Sequence, residues 1–176
     1  MTAAGPLFVR ARRALVQGEL RQLDLLVTEG CVSAVAPSLQ VPESARVVET
    51  DVLSPGFVDL HVHALDGAGT FGVPDVPGLS AALAKRGVTS FLATAAAAPV
   101  EELLALLAPV QTSGARCLGA HLEGPWLSAE YAGAQPREGI AAPELAELER
   151  LLAATPPRMI TLAPELPGGL DLIARA

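Results

Sequence analysis

Two histidines and an aspartate occupy alternate positions of one short segment, as Asp59, His61 and His63. Side chains of a β-strand alternate between its two faces, so a strand over this segment projects all three from the same face. Two neutral imidazoles that converge in this way are suited to bind a divalent metal such as zinc or iron. A His-x-His pair on its own is equally compatible with half-exposed polar residues at a strand end. The surrounding sequence must decide between these two interpretations.

The segments that would position these residues alternate between strand-like and helix-like patterns from Pro55 onward. Short apolar runs predict four strands, over residues 57–63, 88–94, 116–122 and 159–163. Apolar residues at helical spacing predict four helices, over residues 79–86, from Pro99 to about Leu107, over residues 143–154 and from about Leu170. This alternation is typical of βα units on a parallel sheet, either a barrel or an open doubly wound sheet.

The number of βα units limits how much of a barrel this chain can form. A closed (β/α)8 barrel takes about 250 residues and eight such units, so the four units predicted here make about half of one. The sequence also ends at Ala176 inside the last predicted helix, without a capping glycine or a polar tail. We therefore expect the chain to be a truncated part of a longer protein.

The first third of the sequence has a different pattern. Short apolar runs lie between Leu7 and Val48, and the dipeptides Gln17-Gly18 and Glu29-Gly30 are turn signals between them. These spacings predict a small antiparallel sheet. The change of pattern near Pro55 divides the chain into a β portion, residues 1–54, and a βα portion, residues 55–176.

The composition excludes several classes of partner. Twelve Lys and Arg against nineteen Asp and Glu give a net charge of -7, which leaves no basic surface for DNA or RNA. The longest charge-free apolar window, Gly87 to Val100, is shorter than the roughly 20 residues needed to cross a bilayer. The N-terminal segment is interrupted by Arg10, Arg12 and Arg13 and does not resemble a secretory signal. We expect a cytoplasmic protein that has neither nucleic acid nor a membrane as a partner.

Two motifs connect the chain to a known family. The run from Pro55 to His63, Pro-Gly-Phe-Val-Asp-Leu-His-Val-His, resembles the signature of the amidohydrolase superfamily, in which the first barrel strand follows a short β-sandwich. The run from His121 to Leu127, His-Leu-Glu-Gly-Pro-Trp-Leu, resembles a motif of N-acetylglucosamine-6-phosphate deacetylases. The segments Gly87 to Thr94 and Thr161 to Glu165 are similar to two further strands of that family.

The resemblance implies roles for individual residues. It implies that Glu123 is a metal ligand together with His61 and His63, holding one or two divalent ions, with zinc or iron expected. His121 is expected to be a hydrogen-bonding residue of the barrel interior. Family members usually have Gly-Ala-His or Gly-Thr-His where this sequence has Gly133-Ala134-Gln135, and the last two residues of that triplet contact the substrate. Ala134 and Gln135 are therefore the expected substrate contacts, although Gln135 cannot carry a positive charge.

The resemblance also implies an activity and its limits. The family hydrolyses the acetamide of N-acetylglucosamine 6-phosphate, a small amino-sugar phosphate, to glucosamine 6-phosphate and acetate. The mechanism needs two more histidines and a catalytic aspartate from later strands, so no catalytic residue can be named here and the isolated chain is expected to be inactive. A full-length protein is expected to form a homo-oligomer. Two alternatives remain, another amidohydrolase such as a dihydroorotase-like cyclic amidase, and a non-catalytic half-barrel module.

Overall fold

The computed structural model describes residues 5–108 and 110–176, which form two compact units, one ending at Pro55 and one spanning Gly56–Ala176. The first unit contains strands β1 (Leu7–Val16), β2 (Glu19–Thr28), β3 (Cys31–Ala36) and β4 (Arg46–Leu53). The second contains β5 (Phe57–Val62), α1 (Val76–Ala84), β6 (Val88–Ala95), α2 (Val100–Leu106), β7 (Arg116–Glu123), α3 (Leu145–Ala154), β8 (Met159–Thr161) and α4 (Gly169–Arg175). A short 3-10 helix, Arg137–Gly139, lies between β7 and α3.

The first unit is one four-stranded sheet in the order β3-β2-β1-β4. Its two hairpins turn at Gln17-Gly18 and Glu29-Gly30, and all four of these residues have positive φ, which matches the twist of paired strands. The predicted turns are therefore confirmed. The expectation of a purely antiparallel sheet is wrong, because β4 pairs with β1 in parallel. The segment 37–45 carries the chain from β3 at one edge to the opposite edge, so β4 arrives in the same direction as β1.

A half-buried ion pair joins the two central strands of this sheet. Arg10 and Asp24 face each other on β1 and β2, and Arg10 Nε donates to Asp24 Oδ1 at 3.1 Å. The Leu39 N–H donates to the other carboxylate oxygen at 3.0 Å. Asp24 is only 3% exposed, and the hydrogen bond from Arg10, followed by that from Leu39, lowers the pKa of its carboxyl. The charged form of Asp24 is thus the form that stabilises this unit.

The second unit is a four-stranded parallel sheet in the order β5-β6-β7-β8, with a helix after each strand. This confirms the predicted alternation of strands and helices. Each strand lies beside its sequence neighbour, whereas a doubly wound sheet reverses its order part-way, so these four strands do not follow the doubly wound alternative. β8 is shorter than predicted, because beyond Thr161 the chain leaves β7 and the Ala163 N–H donates to the Trp126 carbonyl instead.

The helices cover one face of this sheet. Leu122 of β7 is fully buried against Leu103, Leu148 and Leu151 from α2 and α3. Phe91 of β6 is fully buried in a second cluster with residues of α1. At the end of β7, Ala120 and Leu122 face the core formed with α2 and α3, so the alternate positions His121 and Glu123 lie on the opposite face of the sheet. Within the described residues, no helix has the length and apolar character that crossing a membrane requires.

We predict that Asp24→Asn lowers the free energy of unfolding of the first unit by about 1 kcal/mol at neutral pH, a modest value because the Arg10 side chain is 43% exposed and partly screened. Because the pKa of Asp24 lies below 3.8 in the fold, the wild type loses this contribution as the pH falls below that value. The difference between the two proteins should therefore shrink in acid. Hydrogen exchange of the β1 and β2 amides measures it.

The matched control is Asp51→Asn, which breaks the ion pair between Arg12 and Asp51, whose side chains are 83% and 72% exposed. Exposed pairs contribute little, so this change should leave exchange at β1 and β2 nearly unaltered. Equal effects of the two substitutions at neutral pH would contradict the role assigned to Asp24.

Candidate metal centre

Three side chains converge at the carboxyl-terminal edge of the parallel sheet. One ligand atom from each of His61, His63 and Glu123 can be chosen so that all three lie within 4.8 Å of one another. His63 Nε2 lies 3.0 Å from Glu123 Oε2, and His61 Nδ1 lies 3.8 Å from Glu123 Oε1. The structure therefore brings together the three residues that the sequence predicted as metal ligands.

The sheet explains this convergence. Parallel strands end at one edge, and β5 and β7 are both neighbours of β6, so their last residues lie across a single strand from each other. Val62 packs toward the helices, which directs His61 and His63 to the other face. The Val62 N–H donates to Thr94 Oγ1 at 3.0 Å where the β5–β6 register shifts. Thr94 thus anchors the segment that carries both histidines.

His63 has the environment expected of a metal ligand. Both of its ring nitrogens are buried, and neither has a hydrogen-bond partner among the described residues, despite the short distance to Glu123. Buried polar atoms nearly always have a partner, so such an imidazole calls for one from outside the chain. The Phe71 ring packs 4.4 Å from the imidazole, centroid to centroid, and fixes its orientation. Two imidazoles and a carboxylate form a donor set that fits a divalent ion such as zinc.

His121 lies beside this cluster and makes internal hydrogen bonds. It is 3% exposed, its Nε2 lies 2.9 Å from Thr161 Oγ1, and its Nδ1 lies 3.3 Å from His61 Nδ1. Burial, followed by repulsion from the positive form of His61, lowers the pKa of His121. A neutral His121 that bonds to Thr161 orients the His61 ring, in agreement with the interior role predicted for it.

Asp59 does not join the cluster. Its Oδ1 accepts the His61 N–H at 3.1 Å, so its side chain supports the local backbone instead. The loop after His63 is tight, because Leu65 and Ala68 exchange two backbone hydrogen bonds around Asp66-Gly67. Gly69 follows with φ of 78°, and a Cβ there would lie 2.7 Å from the His63 carbonyl oxygen. Only glycine therefore allows this close approach beside the site.

Gln135 reaches the same cluster from the loop after β7. Its Nε2 donates to Glu123 Oε2 at 2.7 Å, and its Oε1 accepts the Ala97 N–H at 2.8 Å. The structure thus brings Gln135, predicted to contact the substrate, against a predicted metal ligand. Ala134, the other predicted contact, is exposed beside it.

Three residues that support the site through hydrogen bonds were not predicted from the sequence. Near the end of β6, the Thr94 hydroxyl accepts a hydrogen bond from β5, and at the end of β8 the Thr161 hydroxyl bonds to His121. Ala97 contributes only its backbone N–H, which donates to Gln135. A polar residue at the end of a buried apolar strand is a detectable signal, and it would have identified both threonines. The sequence carries no signal for Ala97, because its contribution does not depend on its side chain.

Comparisons with known proteins agree with this geometry. No family model matches the chain. The chain is 34% identical to N-acetylgalactosamine-6-phosphate deacetylase of Escherichia coli O157:H7 over 94% of its own length and 46% of that protein. It is 35% identical to human N-acetylglucosamine-6-phosphate deacetylase over 88% of its length and 42% of that protein. Over nearly its whole length the chain is thus similar to N-acetylglucosamine-6-phosphate deacetylases, of which it spans less than half.

Solved structures lead to the same family. A Mycobacterium smegmatis D267A mutant deacetylase, in complex with N-acetyl-D-glucosamine-6-phosphate, matches 98% of this chain with a TM-score of 0.75 and 29% identity. The Thermotoga maritima deacetylase matches 96% with a TM-score of 0.74 and 27% identity. A D-hydantoinase reaches a TM-score of 0.54 at 16% identity, a likeness of fold alone. The chain spans about half the length of these family members, 47% and 45% respectively.

We predict that Glu123→Gln weakens binding of Zn²⁺ or Co²⁺ to the purified chain by at least about tenfold, because it removes the carboxylate from the cluster of His61, His63 and Glu123 at nearly constant shape. Equilibrium titration followed by Co²⁺ absorbance or calorimetry measures the affinity. Glu130→Gln, at an exposed acid of the following loop, is the matched control and should leave the affinity unchanged. Equal affinities of the Glu123 variant and the wild type would exclude Glu123 as a ligand.

Proposed function

We propose that this chain is part of a metal-dependent deacetylase that hydrolyses N-acetylglucosamine 6-phosphate to glucosamine 6-phosphate and acetate. The observation that carries the proposal is the convergence of His61, His63 and Glu123 in a chain that matches this family over nearly its whole length. Residues 1–54 would form part of a β-sandwich, and residues 55–176 the first four βα units of a (β/α)8 barrel. The sequential order of the four parallel strands supports the second assignment.

In this proposal His61, His63 and Glu123 hold one or two divalent ions, zinc or iron. A divalent ion in such a site polarises a carbonyl group and makes water a nucleophile at neutral pH. Glu123 supplies a carboxylate ligand, and His63, whose buried ring nitrogens have no hydrogen-bond partner in the part of the chain that the structure describes, supplies an imidazole nitrogen. Phe71 beside His63 and the internally bonded His121 beside His61 keep the two rings oriented.

The substrate would lie over the exposed side of this cluster, beside the loop after β7. Ala134 and Gln135 are the proposed substrate contacts. Gln135 uses one amide hydrogen on Glu123, and the second hydrogen of the same group remains for a substrate oxygen. Hydrolysis adds water across the acetamide C–N bond and moves one proton to the leaving amine. We assign that transfer to an aspartate on a later strand, together with two more metal-binding histidines outside this chain.

The test begins with the coding sequence downstream of residue 176. We expect it to encode further barrel strands with two histidines and an aspartate, and the joined protein to release acetate from N-acetylglucosamine 6-phosphate when loaded with metal. Glu123→Gln in the joined protein should reduce this rate at least about a hundredfold, whereas Glu130→Gln should not. Residues 1–176 alone should bind metal without turnover.

Two outcomes would overturn the proposal. Hydrolysis of a cyclic amide such as dihydroorotate, without acetate release from the sugar phosphate, would favour the amidase alternative. Absence of any coding sequence for the missing groups would favour a non-catalytic half-barrel module.

The substrate epimer is a separate question. The 34% identity to an N-acetylgalactosamine-6-phosphate deacetylase supports a second candidate substrate, which differs from the first only at the C4 hydroxyl. We predict that the joined protein hydrolyses both epimers and that kcat/KM for each, measured by acetate release, identifies the preferred one. Inactivity on both, with metal bound, would exclude this substrate class.

A further inference from the structure

We propose that Gln135 is a positioning residue that holds the Glu123 carboxylate in its metal-binding orientation by tying it to the backbone at the end of β6. This inference rests on the proposed metal site. It goes further, because it gives Gln135 a role in the metal affinity of the chain that is separate from any contact with substrate.

The hydrogen-bond pattern fixes which way the amide points. The Ala97 N–H is a donor, so the Gln135 atom that lies 2.8 Å from it must be the carbonyl oxygen. The amino group is then directed to Glu123 Oε2 at 2.7 Å, where it donates to an acceptor-only carboxylate. A reversed amide would place two donors against each other at Ala97 and two acceptors against each other at Glu123. Both partners therefore require the same orientation.

Ala97 is a rigid anchor for this link. It is 3% exposed and lies two residues after the end of β6. The Gly139 backbone packs so closely on it that a Cβ on Gly139 would lie 2.0 Å from the Ala97 carbonyl oxygen. The Ala141 N–H also donates to the Pro125 carbonyl at 2.9 Å, which closes the loop that carries Gln135. The loop is thus held against Ala97, the same residue whose N–H donates to Gln135.

The consequence concerns the two oxygens of Glu123. Oε2 receives the Gln135 hydrogen bond, while Oε1 lies 3.8 Å from His61 Nδ1. A carboxylate held at one oxygen loses its rotational freedom before any ion binds. Partners of this kind, which orient a ligand without touching the metal, typically contribute a factor of about 10 to 100 in metal affinity.

The experiment is a double-mutant cycle on the purified chain, with Zn²⁺ as the probe and a competing chelator dye as the readout. Gln135→Met keeps the length of the side chain and removes both hydrogen bonds, and we expect about tenfold weaker binding. In a Glu123→Ala background the same change should have little further effect, because Gln135 acts through Glu123. Gln111→Met, at an exposed glutamine of the same unit, is the control and should not alter affinity.

A second variant separates this role from a general loosening of the loop. Gln135→Glu can still accept the Ala97 N–H but cannot donate to Glu123, and its side-chain amide signal is lost from the ¹H–¹⁵N spectrum. Comparison with the wild-type spectrum assigns that signal to Gln135, and the signal should shift when Glu123 is replaced by Ala. This tests the hydrogen bond between Gln135 and Glu123 directly, even if the Gln135→Met, Glu123→Ala double variant binds Zn²⁺ too weakly to titrate.

Four results would be decisive. An unchanged Zn²⁺ affinity in Gln135→Met overturns the positioning role. So does a Gln135 side-chain amide signal that does not shift on Glu123→Ala. An equal loss in the wild-type and Glu123→Ala backgrounds also overturns it, because the effect would not pass through Glu123. Failure of the wild type to bind Zn²⁺ at all would instead contradict the proposed metal site.

Discussion

The carboxylate of Glu123 is the constraint around which the second unit is arranged. Its side chain is only 19% exposed, and a charge withdrawn from water in this way must be compensated by donors or cations. His61, His63 and Gln135 all face it, from the end of β5 and from the loop after β7. The positions of these groups depend on the spacing of β5, β6 and β7 and on the path of the loop after β7. Both the strand spacing and the loop path must bring His61, His63 and Gln135 within a few ångströms of the two Glu123 carboxylate oxygens.

The parallel sheet separates the groups that stabilise the unit from those that form the site. Leu122 stands between His121 and Glu123 in β7, is fully buried, and packs against α2 and α3. Because neighbouring side chains of a strand point to opposite faces, the packing of Leu122 sets the direction of both polar neighbours. Core packing and site geometry are therefore coupled in β7. A change that moves Leu122 would also move the Glu123 carboxylate.

The two histidines of the cluster are held in different ways. His63 is 13% exposed on its side chain and is oriented by contact with Phe71, whereas His61 is 50% exposed and lies against His121. His121 in turn bonds to Thr161 of β8, so the orientation of the more exposed histidine depends on the far strand of the sheet. All four strands of the second unit therefore contribute to the centre, although only β5 and β7 lead directly into the cluster.

The sequence by itself determined the alternation of strands and helices and both hairpin turns of the first unit. Its family resemblance also pointed to His61, His63 and Glu123, which the structure brings together. The elements and turns follow from local rules, because periodicity and turn residues act over a few positions of the chain. The sequence did not determine the parallel pairing of β4 with β1, since the route of the segment 37–45 depends on which sheet edge is free. Nor did it indicate that Gln135 bonds to Glu123 and to the Ala97 backbone, because contacts 12 and 38 residues apart exist only once the strand ends have been brought together. Tertiary structure alone decided those contacts.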